Sequence, residues 1–239
     1  MIKRSTLRAQ LASALRDEIL AARLPAGSHF TVKEIAEQYG VSATPVREAM
    51  VDLAAQGLLD VEQHRGFRVH RFTIDDYRAM VHARMIVMDG LFHGFVEAEA
   101  VRTAEAAAGG AAGPHREYEM DPAALASVRR RAEAAVRAAR SGDLDVLIGY
   151  DLRYWRELGA LAGNPYILDF LDRLRTQCWV FCVPCLRRGG EIATRLWSGY
   201  RELVDAVEQR DAIEARRIVA EYHRHALALA DGPAIPLAP

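Results

Sequence analysis

The chain has 239 residues, of which 51% are hydrophobic, and a net charge of -1 at pH 7. This length allows one large domain or two ordinary ones with a sizeable core. The first 15 residues are charged and unlike a secretory signal, and no apolar run approaches the roughly 18 residues of a membrane span. Three cysteines are too few for a disulfide framework. We therefore expect a protein of the reducing cytoplasm that does not enter a membrane.

The first 71 residues are slightly basic, with 10 Lys and Arg against 8 Asp and Glu, and they begin with a predicted helix. Apolar residues recur at helical spacing over Leu7–Ala22, and the breakers Pro25 and Gly27 follow. A mildly basic head on a slightly acidic remainder is compatible with DNA binding, but only weakly indicates it.

Residues 31–56 predict two short helices joined by a tight turn. The first covers Val32–Tyr39 and ends at Gly40, which can adopt a left-handed conformation. Thr44 is predicted to cap the second helix, with Pro45 in its first turn. The second helix has a predicted buried stripe, which consists of Val46, Met50, Leu53 and Ala54. The opposite face is predicted to be exposed to water and carries Ser42, Thr44, Arg47 and Glu48. This pattern is typical of a helix-turn-helix that enters the DNA major groove, and the alternative is an ordinary helical hairpin.

A β-hairpin is predicted directly after the second helix. Its strands cover Gly57–Glu62 and Phe67–His70, and the turn Gln63–Gly66 ends on a glycine that can supply a positive φ. Together these elements predict a winged helix-turn-helix domain over residues 1–71. Residues 72–75 form the predicted linker, in which Thr73 caps the next helix.

The remainder has no long strand pattern and predicts an all-α helical bundle over residues 76–231. The predicted helices are Asp75–Thr103, Pro122–Ser141, Asp143–Ala162, Pro165–Val183, Glu191–Arg210 and Asp211–Leu229, with Pro184 among the breaks. Residues 109–114 are expected to form a mobile loop, and residues 232–239 a disordered tail. The predicted fold class is therefore mainly α, with an N-terminal winged helix-turn-helix and a C-terminal all-α bundle.

The N-terminal landmarks resemble those of GntR-type transcription regulators. They are Pro25-x-Gly27, Ile35-Ala36, Gly40-Val41-Ser42, Thr44-Pro45-Val46-Arg47-Glu48-Ala49, Gly57-Leu58 and Arg65-Gly66. The resemblance implies DNA contacts by Lys33, Ser42, Thr44, Arg47 and the wing tip His64, Arg65 and Gly66. One position departs from the family pattern, because Ala43 stands where an Arg is usual. An Arg that reads guanine contributes about 1–3 kcal/mol of discrimination, so a different operator or weaker binding is expected.

The second half resembles the FCD effector domain of the FadR-like branch of that family. The matching residues are Arg84, Asp151, Gly163-Asn164-Pro165-Tyr166 and Ala206-Val207-x-x-Arg210-Asp211. The resemblance implies a ligand site, which in many such domains holds a divalent metal on one Asp and three His. Here the Asp is Asp151, and the three His positions align with Trp155, Tyr200 and Tyr222.

Indole cannot ligate a metal and a phenol with pKa about 10 is a poor zinc ligand, so no metal is expected. We expect instead a small organic effector with an acidic group, held by Arg84 and stacked on Trp155 and Tyr200. Three alternatives stay open: a filled core without effector, a metal site rescued by His223 or His225, and oxidation sensing by Cys178, Cys182 and Cys185. The last competes with a simpler interpretation as core thiols.

These residues together predict a one-component regulator, most simply a repressor, that binds a near-palindromic DNA operator as a homodimer. A constitutive DNA-binding dimer is the first rival. A metal-dependent helical enzyme is the second, although the sequence contains no Gly-x-Ser-x-Gly or His-Glu-x-x-His motif. We therefore predict that the protein is not an enzyme.

Overall fold

The structure, a computed structural model, describes residues 6–107, 121–188 and 190–230, without the side chains of 94–107. The predicted loop at 109–114 and the predicted tail at 232–239 lie outside the described residues. The chain forms two compact units, Met1–Tyr77 with Arg175–Gly189, and Arg78–Leu174 with Gly190–Pro239. Within the described residues, no helix is both long enough and apolar enough to cross a membrane.

The described part of the chain is mainly helical, as the sequence predicts. In chain order the elements are α1 (Leu7–Leu20), β1 (His29–Phe30), α2 (Val32–Tyr39), α3 (Ala43–Ala55), β2 (Leu59–Glu62), β3 (Gly66–Val69), α4 (Ile74–Ala107), α5 (Pro122–Ser141), α6 (Leu144–Ala160), α7 (Pro165–Arg188), a 3-10 turn (Ile192–Arg195), α8 (Tyr200–Glu208) and α9 (Ala212–Ala230). Elements α1 to α3 with the three strands form the winged helix-turn-helix.

The predicted limits of α2 are confirmed at both ends. Thr31 caps the helix and exchanges hydrogen bonds with Glu34 in a capping box, which lowers the pKa of the Glu34 carboxyl. Gly40 ends the helix with φ 64°, a left-handed conformation that glycine adopts without steric cost. The turn after Gly40 therefore fixes where α3 begins.

The predicted cap of α3 is wrong by two residues. Ser42 is the residue with extended backbone before the helix, and α3 begins at Ala43, so Thr44 lies inside the first turn. Pro45 fits there as the third helical residue, because N–H groups of the first turn have no partner within the helix. The buried stripe is Val46, Ala49, Met50 and Leu53, whereas Ala54 is only half-buried.

The wing belongs to a three-stranded antiparallel sheet with strand order β1-β3-β2. Strand β1, which the sequence did not predict, pairs Phe30 with Phe67, and both rings are buried. The predicted hairpin of β2 and β3 is confirmed, with Val61 opposite Phe67 and Glu62 opposite Gly66. The third strand anchors the base of the wing on the loop that precedes α2.

Part of α7 belongs to the same compact unit as the head. Gln177 donates a hydrogen bond from Nε2 to the carbonyl of Gln56, 2.8 Å away, directly after α3. The rings of Tyr77 and Phe181 stack with centroids 4.7 Å apart. The predicted domain limits, 76–231, instead assign these α7 residues to the helical bundle. Sequence patterns indicate where a helix lies but not which elements it packs against.

Helix α4 is continuous through Gly90 and Gly94, and its capping box is confirmed: Thr73 and Asp76 exchange hydrogen bonds of 2.7–3.1 Å. Helix α5 has the predicted limits. The predicted break at Pro184 is wrong, because this proline lies inside α7. A proline there cannot donate a backbone hydrogen bond and its ring crowds the preceding turn, yet the helix continues for one more turn to Arg188.

The predicted single helix Glu191–Arg210 is also wrong. A 3-10 turn ends at Arg195, and α8 begins only at Tyr200. The segment between them carries Trp197, whose ring lies 4.6 Å from that of Tyr200. Gly199 precedes α8, and a Cβ there would approach the Trp197 ring to 2.7 Å. Packing of the half-buried indole against Tyr200 and Gly199 thus replaces the first half of the predicted helix.

Candidate DNA-binding surface and effector site

The residues of the helix-turn-helix that are predicted to contact DNA are exposed to solvent. Ser42, Thr44 and Arg47 are exposed at the start of α3, on the side opposite its buried stripe. Lys33 is exposed on α2 and lies 3.8 Å from Glu37, a surface pair that contributes little to stability. In the described part of the chain no ion pair holds the Arg47 guanidinium. These four side chains are therefore accessible from solvent.

The wing tip presents the other three predicted contacts. His64 and Arg65 are exposed, and His64 adopts φ 62° in the turn. Gly66 has φ 101°, and a Cβ there would lie 2.6 Å from the carbonyl oxygen of Phe30. Only glycine lets β3 approach β1 so closely, so Gly66 shapes the tip and offers no side chain to DNA.

The strands below the tip carry paired charges. His70 Nδ1 lies 2.8 Å from Asp60, and His29 Nδ1 lies 3.1 Å from Glu62. Arg68 lies within 3.4 Å of both carboxylates. Arg68 therefore pairs with both acidic residues of the wing, whereas Arg65 is an exposed cation at its tip.

The structure brings the five predicted effector residues together in the bundle, although they come from four helices. Asp151 and Trp155 lie on α6, and the others come from α4, α8 and α9. Asp151 Oδ1 accepts hydrogen bonds from Trp155 Nε1 at 3.0 Å and from the Tyr200 hydroxyl at 2.9 Å. Arg84 Nη2 donates to the Tyr222 hydroxyl at 2.7 Å. All five side chains are buried, and Asp151 is 0% exposed.

Two aromatic residues that the sequence did not assign to the site complete this aromatic cluster. Trp197 lies 4.9 Å from Tyr222 and 6.2 Å from Trp155, between ring centroids. Tyr154 donates its hydroxyl to the Tyr200 carbonyl at 3.1 Å. Trp197 precedes Tyr200 by three residues and Tyr154 precedes Trp155, so proximity in sequence was the available signal.

The residues present do not fit a divalent metal. The aligned ligand positions include two groups, the Trp155 indole and the Tyr200 phenol, that donate hydrogen bonds to Asp151 and occupy its Oδ1. His225 Nε2 lies 3.1 Å from the carbonyl of Arg195, and burial lowers the pKa of this imidazole. Within the described residues, no three His, Cys, Asp or Glu side chains form a metal-binding group.

Comparison with known proteins supports both halves of this description. Residues 7–69 match the family described as bacterial regulatory proteins, gntR family, and residues 96–225 match the FCD domain. The chain is 29% identical over 211 residues to a probable D-xylose utilization operon transcriptional repressor of Paenarthrobacter nicotinovorans, covering 88% of this chain and 82% of that protein.

Solved structures show the same fold. McbR/YncC of E. coli superimposes with a TM-score of 0.74 at 19% identity, over 95% of this chain and 98% of that one. A GntR transcriptional regulator from Rhodococcus sp. RHA1 superimposes with a TM-score of 0.66 at 20% identity, over 95% and 99%. The FCD match alone spans more than half of the sequence. The chain therefore belongs to the GntR family of bacterial transcription regulators and carries an FCD domain behind its winged helix-turn-helix head.

Proposed function

We propose that the protein is a cytoplasmic repressor that binds a two-fold symmetric operator as a homodimer and releases it when a small organic acid binds the bundle. Lys33, Ser42, Thr44 and Arg47 contact DNA with the wing tip His64, Arg65 and Gly66. The proposed effector residues are Arg84, Asp151, Trp155, Tyr200 and Tyr222. The proposal includes no catalytic step, because the family consists of transcription regulators.

The exposed start of α3 is the observation that carries the DNA-binding part. Ser42, Thr44 and Arg47 face water while the other side of the helix is fully buried, which is the geometry of a helix that lies in the major groove. Hydroxyls hold phosphates, and an Arg reaches a base edge or a phosphate. One such head reads few base pairs, so two copies on two half-sites supply the specificity.

The effector part rests on the two buried charged residues of the aromatic cluster. Arg84 is 2% exposed, and a guanidinium at this depth can hold a carboxylate with two parallel hydrogen bonds. One of its present partners is the hydroxyl of Tyr222, which an acidic ligand would displace or share. FCD domains bind small-molecule effectors, and binding lowers operator affinity only if the effector prefers the released state.

A second candidate is a constitutive DNA-binding dimer with a filled core. It is favoured by the contacts within the cluster, because the rings of Trp155, Trp197 and Tyr222 pack together and the Trp155 indole and the Tyr222 hydroxyl are hydrogen-bonded. Thermal unfolding against a panel of small carboxylates separates the candidates. D-xylose, a neutral sugar, is added as a non-acidic compound, because a relative is named for its utilization. A raised midpoint with a carboxylate supports the sensor, and no shift with any compound supports the constitutive dimer.

Selection of genomic fragments on purified protein, followed by gel-shift titration at fixed salt, tests the DNA-binding part. We expect a short two-fold symmetric site that Arg47→Ala weakens. Arg140→Ala is the matched control, because Arg140 is an exposed Arg in the other compact unit. No enrichment over unrelated DNA, with and without the carboxylate panel, would contradict the proposal.

A further inference from the structure

The exposed surface of α3 divides into two stripes, each with a spacing of four residues. Glu48 and Asp52, with Gln56 directly after the helix, form the first stripe, and Asp52 and Gln56 bond to residues of α1. Arg16 of α1 donates a 2.8 Å hydrogen bond to the Gln56 side chain, and Arg8 of α1 holds Asp52. The second stripe, Ala43, Arg47 and Val51, is exposed, and Val51 retains 51% of its surface. The second stripe is therefore open to the groove of DNA, together with the exposed Ser42 and Thr44 at the start of the helix.

The Arg8–Asp52 contact is a fork between a guanidinium and a carboxylate. Arg8 Nε lies 2.5 Å from Asp52 Oδ2, and Arg8 Nη2 bonds the other oxygen. The hydrogen bonds and charge of Arg8 lower the pKa of Asp52, and Glu48 adds to the raised pKa of Arg8. The side chains keep 49% and 31% of their surfaces exposed. Ion pairs with this exposure contribute little to the free energy of unfolding.

Charge gives the pair a role in DNA binding. Helix α3 contains one cation, Arg47, and two carboxylates, Glu48 and Asp52, so the recognition helix by itself is negative. Phosphates on both sides of the groove repel such a helix over a screening length of about 8 Å at physiological salt. Arg8 lies on α1, outside the helix-turn-helix motif, and the positive charge of its guanidinium offsets the net negative charge of α3.

We propose that Arg8 is a positioning residue for operator binding, because it neutralises the carboxylates of α3 and lets the Ala43–Arg47–Val51 stripe enter the groove. This inference rests on the proposed DNA-binding function. It assigns Arg8 no direct phosphate contact, since both of its fork nitrogens are engaged by Asp52. The acidic stripe would otherwise oppose the one α3 cation that reaches DNA.

A double-mutant cycle on the selected operator tests the proposal, because the two single substitutions should change operator affinity in opposite directions. At about 50 mM salt, Arg8→Gln should weaken binding about fivefold, whereas Asp52→Asn should leave it unchanged or tighten it. The double variant should return to the wild-type affinity, because it again carries the wild-type charge. Raising the salt to about 300 mM should reduce the Arg8→Gln deficit to less than about twofold.

The controls separate this role from the alternatives. Arg23→Gln breaks a similar exposed pair, with Glu18 at 2.8 Å, and gives the background effect of removing one cation from the head. A structural role predicts that Asp52→Asn weakens binding as much as Arg8→Gln, and thermal unfolding would show equal losses. A direct phosphate contact predicts that the double variant stays weak. Either result would overturn the proposal if the wild type binds the operator and Arg47→Ala weakens that binding. If the wild type does not bind, or if Arg47→Ala has no effect, the result counts against the proposed DNA-binding function instead.

Discussion

The helix-turn-helix surface and the aromatic cluster of the bundle use polar side chains in opposite ways. On α3 the hydroxyls and Arg47 lie in water, with no ion pair to Arg47 in the described part of the chain. In the bundle, Asp151 and the hydroxyls around it are buried and bonded to one another. Surface groups are therefore expected to determine affinity for a partner, whereas buried groups determine the free energy of unfolding.

The largest expected effect is on the cluster. Asp151→Ala leaves the Trp155 indole and the Tyr200 hydroxyl as buried donors without their acceptor, at about 1–3 kcal/mol each. We expect urea unfolding to show a loss of about 2–5 kcal/mol. Asp145→Ala, an exposed carboxylate on the same helix, should lose less than about 1 kcal/mol. Equal losses in the two variants would mean that Asp151 does not hold the cluster together.

The close packing of the wing is tested by comparing alanine substitutions at two glycines, Gly66 and Gly90. Gly66→Ala places a Cβ 2.6 Å from the Phe30 carbonyl at φ 101°, so a loss of about 1–3 kcal/mol and weaker operator binding are expected. Gly90→Ala meets no atom within 4 Å in the middle of α4 and should stabilise by about 0.5–1 kcal/mol. A stabilising Gly66→Ala would show that the close approach of β3 to β1 is not required.

The smallest expected effect concerns pH. Asp76 accepts hydrogen bonds from the Thr73 N–H and hydroxyl, which lower the pKa of its carboxyl. Because the folded pKa is the lower one, this contribution is present above the unfolded value of about 3.9 and is lost as pH falls through the folded pKa. Asp76→Asn should therefore unfold with a shallower loss of stability between about pH 4 and pH 2. An unchanged acid profile, relative to Asp75→Asn as control, would exclude this contribution.

Sequence patterns predicted the elements whose limits depend on local chemistry. Gly40, the Thr73–Asp76 capping box and the limits of α5 belong to this group, because turns and caps form between near neighbours. The cap of α3 and the break at Pro184 were local errors, whereas two other errors arose where distant contacts decide. Strand β1 exists because β3 pairs with it, and the chain before α8 packs the Trp197 ring against those of Tyr200 and Tyr222.

The two candidate sites were predictable to different degrees, because one depends on local helical spacing and the other on contacts between distant residues. The exposed residues of α3 follow from helical spacing alone, as Arg47 shows. The neutralisation of Asp52 by Arg8 could not be read from the sequence, because 44 residues separate the partners. The effector residues were found by resemblance, and Trp197 was missed because its approach to Tyr222 depends on the fold.

The most direct test of the account is the ratio of operator affinity to unrelated-DNA affinity, measured by gel shift at one salt concentration for Arg47→Ala and Arg140→Ala. If the exposed stripe of α3 reads the operator, Arg47→Ala lowers this ratio about fivefold or more, since a specific Arg contact contributes about 1–3 kcal/mol, whereas Arg140→Ala leaves it unchanged. An equal ratio in both variants and the wild type would contradict the assignment of α3 as the helix that reads DNA.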